Sequence, residues 1–133
     1  EVPFVLTQQL ESQLSNGKAG VVFITTQSVE QPFTKLAHYT TAKAALMGLT
    51  KSLATDLSSK KIRFNAVSPS IADTDLNADL PNKFKLLTAA KTPLKRLATP
   101  HDIAQAIVFL ADSSKSGFIT GETIRVNGGQ VMW

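Results

Sequence analysis

The chain has 133 residues, a formal net charge of +4 and a hydrophobic content of 43%, which suits one modest globular domain with a core of its own. It holds no cysteine, so disulfides, zinc–thiolate sites and a cysteine nucleophile are excluded. Its Lys and Arg are scattered, no apolar run reaches membrane-spanning length and no signal peptide is visible; neither nucleic acid nor membrane is an expected partner, and a cytoplasmic setting is.

The first residues, Glu1-Val2-Pro3-Phe4, read as the inside of an element, and the chain is taken as a fragment. Residues 2–15 predict a helix, with Phe4, Val5, Leu6, Leu10 and Leu14 on an apolar stripe and Asn16-Gly17 as its stop. Residues 20–25, Gly-Val-Val-Phe-Ile-Thr, are a short β-branched apolar run, the pattern of a strand covered on both faces. Thr25-Thr26-Gln27-Ser28 follow its end, and residues 29–37, broken by Pro32, read as a loop.

A long helix is expected over about 38–59, with Tyr39, Ala42, Leu46, Leu49, Leu53 and Leu57 at helical spacing. Ala44, Ala45 and Gly48 leave another face nearly bare, open to a neighbouring helix. Ile62 to Ser68 predict a second strand, ended by Pro69. Residues 69–98 hold one or two short helices in a lid or insertion. Five basic residues and no acidic one lie between Leu80 and Pro100, a solvated surface. Thr99-Pro100-His101-Asp102 is a helix start with a cap, Pro at the first position and a capping-box acid. His101 there is a surface residue, neither base nor ligand. Ile103, Ala106, Ile107 and Leu110 carry a buried stripe to about Asp112, and a polar connection runs from Ser113 to Thr120. Gly121 to Val126 predict a third strand, ended by Asn127-Gly128-Gly129.

Strands alternating with helices imply parallel crossovers and an α/β layered sheet. Ligands of such sheets bind beyond the C-terminal strand ends. Thr26, the loop after Pro69 and the start of the Tyr39 helix gather at that edge. Tyr39 and Lys43 lie four apart, so on a helix they share a face. Such a pair is commonly no more than a solvated helix face. At a ligand edge it has a chemical use, because an ammonium beside a phenol favours the phenolate and so eases proton exchange.

Three patterns, taken in order, resemble the C-terminal half of the short-chain dehydrogenase/reductases over nearly the whole chain. The family's Tyr-x-x-x-Lys stands as Tyr39-Thr40-Thr41-Ala42-Lys43, followed by Ala44-Ala45-Leu46. Its Asn-x-x-x-Pro-Gly stands as Asn65-Ala66-Val67-Ser68-Pro69-Ser70. The closing pattern is Phe118-Ile119-Thr120-Gly121 through Val126-Asn127-Gly128-Gly129. The resemblance implies the C-terminal part of a Rossmann-like doubly wound parallel sheet, three parallel strands with flanking helices, residues 1–133 forming half of one domain whose N-terminal dinucleotide-binding half is absent. It implies an NAD(P)-dependent oxidoreductase that reduces a carbonyl to an alcohol, with NADPH favoured by similarity. A 3-oxoacyl thioester linked to acyl carrier protein is the implied substrate subtype, and a homodimer or homotetramer the implied assembly.

By the same resemblance Tyr39 is the general acid, and Lys43 holds the nicotinamide ribose. Thr26 stands in the family's serine position, with Ser28 its rival if the loop shifts by two. Asn65 is mainly structural. Pro69, Ser70, Ala72 and Thr74 meet the nicotinamide carboxamide, and no metal is expected. Ser70 stands where Gly is usual, Ala72 where a larger aliphatic is common, and Lys61 where a Gly ends the helix. Thr26 and Ser70 leave open an assembly module that keeps the fold without the chemistry, against which the intact Tyr39 and Lys43 stand; another reaction on the same fold, such as dehydration or epimerisation, is a third reading.

Overall fold

Strands β1 (Gly20–Ile24), β2 (Arg63–Pro69) and β3 (Thr123–Val126) lie side by side in chain order, all parallel. The computed structural model describes residues 1–16 and 19–132. Val22 sits opposite Asn65 in one ladder and Val67 opposite Ile124 in the other. This is the sheet the sequence predicts, and helices fill the crossovers, as parallel neighbours require. β3 starts later than the predicted Gly121. Gly121 turns at a φ of +77°, and the Glu122 N–H goes to Asn65 Oδ1 at 3.1 Å.

The helices are α1 (Val2–Asn16), α2 (Ala37–Asp56), α3 (Asn82–Lys91), α4 (Pro100–Ala111) and α5 (Ser113–Ser116). Gly17, part of the predicted stop of α1, lies outside the described residues. α2 ends three residues before its predicted limit, at Asp56 rather than residue 59, and a 3₁₀ turn, Ser58–Lys60, follows. Lys61 then takes the left-handed conformation (φ 58°), the position where Gly is usual because a side chain there costs about 1–2 kcal/mol. The 69–98 segment contains α3 and a 3₁₀ turn, Asp75–Asn77. The predicted polar connection after α4 contains α5, which Asp112 nucleates by accepting the Ser114 N–H at 2.9 Å.

One face of the sheet packs on α2. Phe64, Ile62, Leu53 and Ala54 are buried there, with Leu14, Val21, Phe23, Leu49 and Leu57 around them. The Phe23 and Phe64 rings lie 6.2 Å apart, and deleting a side chain from such a cluster costs about 2–5 kcal/mol. Leu14 is the part of the α1 stripe that reaches this core. Phe4, Val5, Leu6 and Leu10 stay exposed, so the described residues cover little of the stripe.

The other face carries α4, whose Leu110 is fully buried. The buried Arg63 guanidinium closes that layer. It donates to Leu110 O at 2.9 Å, Ala111 O at 3.3 Å and Ser116 O at 3.1 Å, placing a cation on the carbonyl end of α4. Gly20 makes the room: a Cβ there would sit 2.5 Å from Arg63 Nη2.

Candidate active site

β1 and β2 end at the same edge of the sheet, and α2 begins beside it. Tyr39 stands in the first turn of α2, with 38% of its surface exposed. Lys43, one turn further on, sets its Nζ 5.9 Å from the Tyr39 ring centroid. The same Nζ donates to Ile24 O, the last carbonyl of β1, at 2.7 Å. The ammonium thus ties α2 to the C-terminal end of the strand, and the phenol beside it stays open to solvent.

Thr26 follows β1 and caps the 3₁₀ turn Gln27–Val29, which packs against α2. Its Oγ1 accepts the Ser28 N–H at 3.3 Å and donates to Ser28 Oγ at 3.2 Å. Thr26 and Ser28, the two hydroxyls in contention for the family serine role, are therefore both buried and bonded to each other. An ST turn of this kind holds a hydroxyl pair in place locally.

Beyond β2 the predicted cofactor-contact residues form a continuous path. Pro69 is the last residue of the strand, and Ser70 N–H donates to Val126 O at 3.1 Å. Ala72 is buried and bridges to Ala98. Asn77 Nδ2 donates to Ala72 O at 2.9 Å and to Thr74 Oγ1 at 3.4 Å, fixing that bend. Asn65 has the structural part expected of it, donating to Ile119 O at 2.9 Å and accepting from Glu122 N–H. A cleft of about 430 Å³ opens on the β3 side of Ser70, lined among others by Leu94, Arg96, Arg125 and Asn127. Tyr39 is not among the residues that line it.

Two ties at this edge are absent from the sequence reading. Arg125 of β3 pairs with Glu30 just after the 3₁₀ turn, Nη2 to Oε1 at 2.6 Å. Gln27 Nε2 donates to Gln130 Oε1 at 2.5 Å. Local periodicity carries no signal for partners 95 and 103 residues apart. His101 is exposed on α4, as expected. Among the described residues no cluster of His, Cys, Asp and Glu could hold a metal, and no helix is long and apolar enough to cross a membrane.

Residues 2–130 match a family model described as enoyl-(acyl carrier protein) reductase. A 3-oxoacyl-[acyl-carrier-protein] reductase of Vibrio cholerae is 42% identical over 96 residues, 72% of this chain and 39% of that protein. The enzyme of the same name from Thermotoga maritima is 38% identical over 95 residues. The chain thus spans about two fifths of the length of the curated relatives it matches, 39% and 38% in these two. Among solved structures, a 3-oxoacyl-[acyl-carrier protein] reductase from Brucella melitensis superimposes with a TM-score of 0.88 at 28% identity, covering 98% of this chain and 49% of that one. A short-chain dehydrogenase/reductase from Brucella melitensis, titled glucose/ribitol dehydrogenase, gives 0.77 at 37% identity over 84% of this chain and 45% of that one.

Proposed function

Since the chain belongs to the short-chain dehydrogenase/reductase family, we propose that it forms the C-terminal half of an NAD(P)-dependent reductase that converts a carbonyl to an alcohol. A 3-oxoacyl thioester on acyl carrier protein is the proposed substrate class, supported by the similarity to reductases named for it. A cytoplasmic setting and a homodimeric or homotetrameric assembly belong to the same reading.

One observation carries it: Lys43 Nζ lies 2.7 Å from Ile24 O and 5.9 Å from the exposed Tyr39 ring, at the C-terminal edge of a parallel sheet. The residues fit a nicotinamide nucleotide. An ammonium carries three N–H donors, and the Ile24 carbonyl uses one, so two can meet the hydroxyls of a ribose. When bound, the nicotinamide supplies the hydride. This chain supplies the rest. Tyr39 Oη gives its proton to the carbonyl oxygen as negative charge develops there. Lys43 steadies the phenolate left behind and holds the ribose. A hydroxyl of the Thr26–Ser28 pair donates to the same oxygen and orients it. Pro69, Ser70, Ala72 and Thr74 wall the carboxamide side.

The test is reduction of a 3-oxoacyl thioester by the full-length protein with NADPH or NADH, followed by loss of reduced-cofactor absorbance. Wild type should turn over, and Tyr39→Phe should lose about 10²–10⁴-fold in rate with its fold intact. Near-normal turnover by a well-folded Tyr39→Phe protein would sink the assignment.

A further inference from the structure

The turn that carries Thr26 and Ser28 is held from the far end of the chain by two independent ties. Glu30 takes Arg125 Nη2 at 2.6 Å and Nε at 2.8 Å, and its side chain is almost fully buried. Gln27, also buried, donates through Nε2 to Gln130 Oε1 at 2.5 Å. Gln130 Nε2 in turn donates to Thr92 Oγ1, and Thr92 Oγ1 donates to Thr88 O at 2.8 Å, inside the last turn of α3.

The direction of every bond in this chain is forced. Thr88 O is a carbonyl and can only accept, so the Thr92 proton is committed to it. Thr92 Oγ1 must then accept, and Gln130 must present its nitrogen. That leaves the Gln130 oxygen for Gln27, which must present its own nitrogen. Gln27 Oε1 accordingly meets no donor among the described residues although it is buried. The contact between the end of α3 and the turn after β3 is also built into the backbone. Leu94 N–H donates to Gly128 O at 3.2 Å. Gly128 takes a φ of +61°, and a Cβ there would meet Thr92 Cγ2 at 2.6 Å.

We propose that Thr92, Gln130 and Gln27 are positioning residues that couple the end of α3 to the Thr26–Ser28 hydroxyl pair, so that the seating of the 69–98 segment sets the aim of those hydroxyls. The proposal rests on the carbonyl-reductase reading above. In that reading the start of the segment walls the carboxamide side of the site, and the relay transmits the segment's position to the group that orients the carbonyl oxygen. A positioning chain acts as one unit, so its members are not additive.

The test uses the full-length protein. Gln130→Met keeps the length of the side chain without its hydrogen bonds, and Thr92→Val keeps the shape of Thr without its hydroxyl. Each should lower kcat about fivefold or more and leave KM for the reduced cofactor unchanged. The double variant should be no worse than the worse single one, and Thr92→Ser should restore the rate. Additive losses, or failure of Thr92→Ser to rescue, would overturn the coupling. A second readout needs no activity: the Glu30 and Gln31 N–H groups, both bonded to Gln27 O at 2.9 Å, should exchange hydrogen faster in Thr92→Val. Unchanged exchange overturns the relay even if the reductase is active. Faster exchange in a protein that reduces no carbonyl supports the coupling and sets aside the reductase reading alone.

Discussion

In the proposed reductase Lys43 has two tasks. Its bond to Ile24 O at 2.7 Å anchors α2 to β1, while its distance of 5.9 Å from the Tyr39 ring serves the phenol. Lys43→Met should raise the KM for reduced cofactor and lower kcat together, since it removes both the ribose donors and the cation; unchanged values for both would count against the double role. The hydroxyl question is open to the same treatment. Thr26 caps the turn and donates to Ser28, so its hydroxyl has the greater local role. If the Thr26 proton turns from Ser28 Oγ to the substrate oxygen when substrate binds, Thr26→Val should lose about 10²–10³-fold in kcat, the scale of a lost oxyanion donor, and Ser28→Ala less. The reverse order would give the role to Ser28. At this scale the Tyr/Lys pair was legible because an i,i+4 pair needs only helical geometry. The choice between Thr26 and Ser28 was not, because it turns on the path of a loop that places the two hydroxyls 3.2 Å apart.

α4 shows an element written almost completely in its first four residues. Thr99 Oγ1 accepts the Asp102 N–H at 3.2 Å, and the Asp102 carboxylate takes the Thr99 N–H at 2.7 Å. Arg96 adds a paired contact to both Asp102 oxygens, at 2.6 and 2.9 Å. The Arg96 bond, then those of the Thr99 backbone and hydroxyl, holds the Asp102 carboxyl far below the usual carboxylate range. A pKa lower in the folded than in the unfolded state means the unfolded state takes up the proton first. The stability from Asp102 is therefore fully present above about pH 4, the ordinary Asp value, and is lost as pH falls through the lower folded value. Asp102→Asn should lower Tm at pH 7, and the difference from wild type should shrink below pH 4; a difference that does not change with pH would contradict the ionic cap. Thr99→Ala should cost about 1 kcal/mol at pH 7 and less below pH 4, because its hydroxyl is one of the bonds that hold the Asp102 carboxyl down. α2 offers the contrasting case. Ala45 and Gly48 are exposed, and a Cβ at Gly48 meets nothing within 4 Å. Gly48→Leu should leave the fold of one subunit intact and, if α2 faces α2 in the proposed dimer, shift the mass in light scattering toward monomer. No shift would remove that face from the assembly. Of the face the sequence marked, Ala45 and Gly48 are exposed and Ala44 is half-buried; α5 was missed, since a four-residue helix set by one Asp112 cap leaves no periodic trace.

At the scale of the whole molecule, sheet order was readable because strands alternating with helices admit few right-handed parallel arrangements. The coverage of α1 was not, because periodicity shows that a helix has an apolar face without showing what lies against it. That face is open among the described residues: Val2 is 75% exposed, Leu6 50% and Phe4 43%. Among the described residues β1 pairs with β2 on one side alone, and its end residue Ile24 is 37% exposed. An apolar strand edge beside an apolar helix face is a template for pairing with another chain. The positive charge of +4 is too small and too dispersed to oppose such contact. We therefore predict that residues 1–133, produced by themselves, self-associate at micromolar concentration and bind NADPH weakly or not at all. Sedimentation should show dimers and larger species, and charged substitutions on the exposed stripe, Leu6→Lys with Leu10→Glu, should shift the distribution toward monomer without lowering Tm. If the wild-type 133-residue polypeptide instead sediments as a monodisperse monomer and binds NADPH in calorimetry, the open helix face and strand edge have no bearing on its behaviour, and the nucleotide site is complete within these residues.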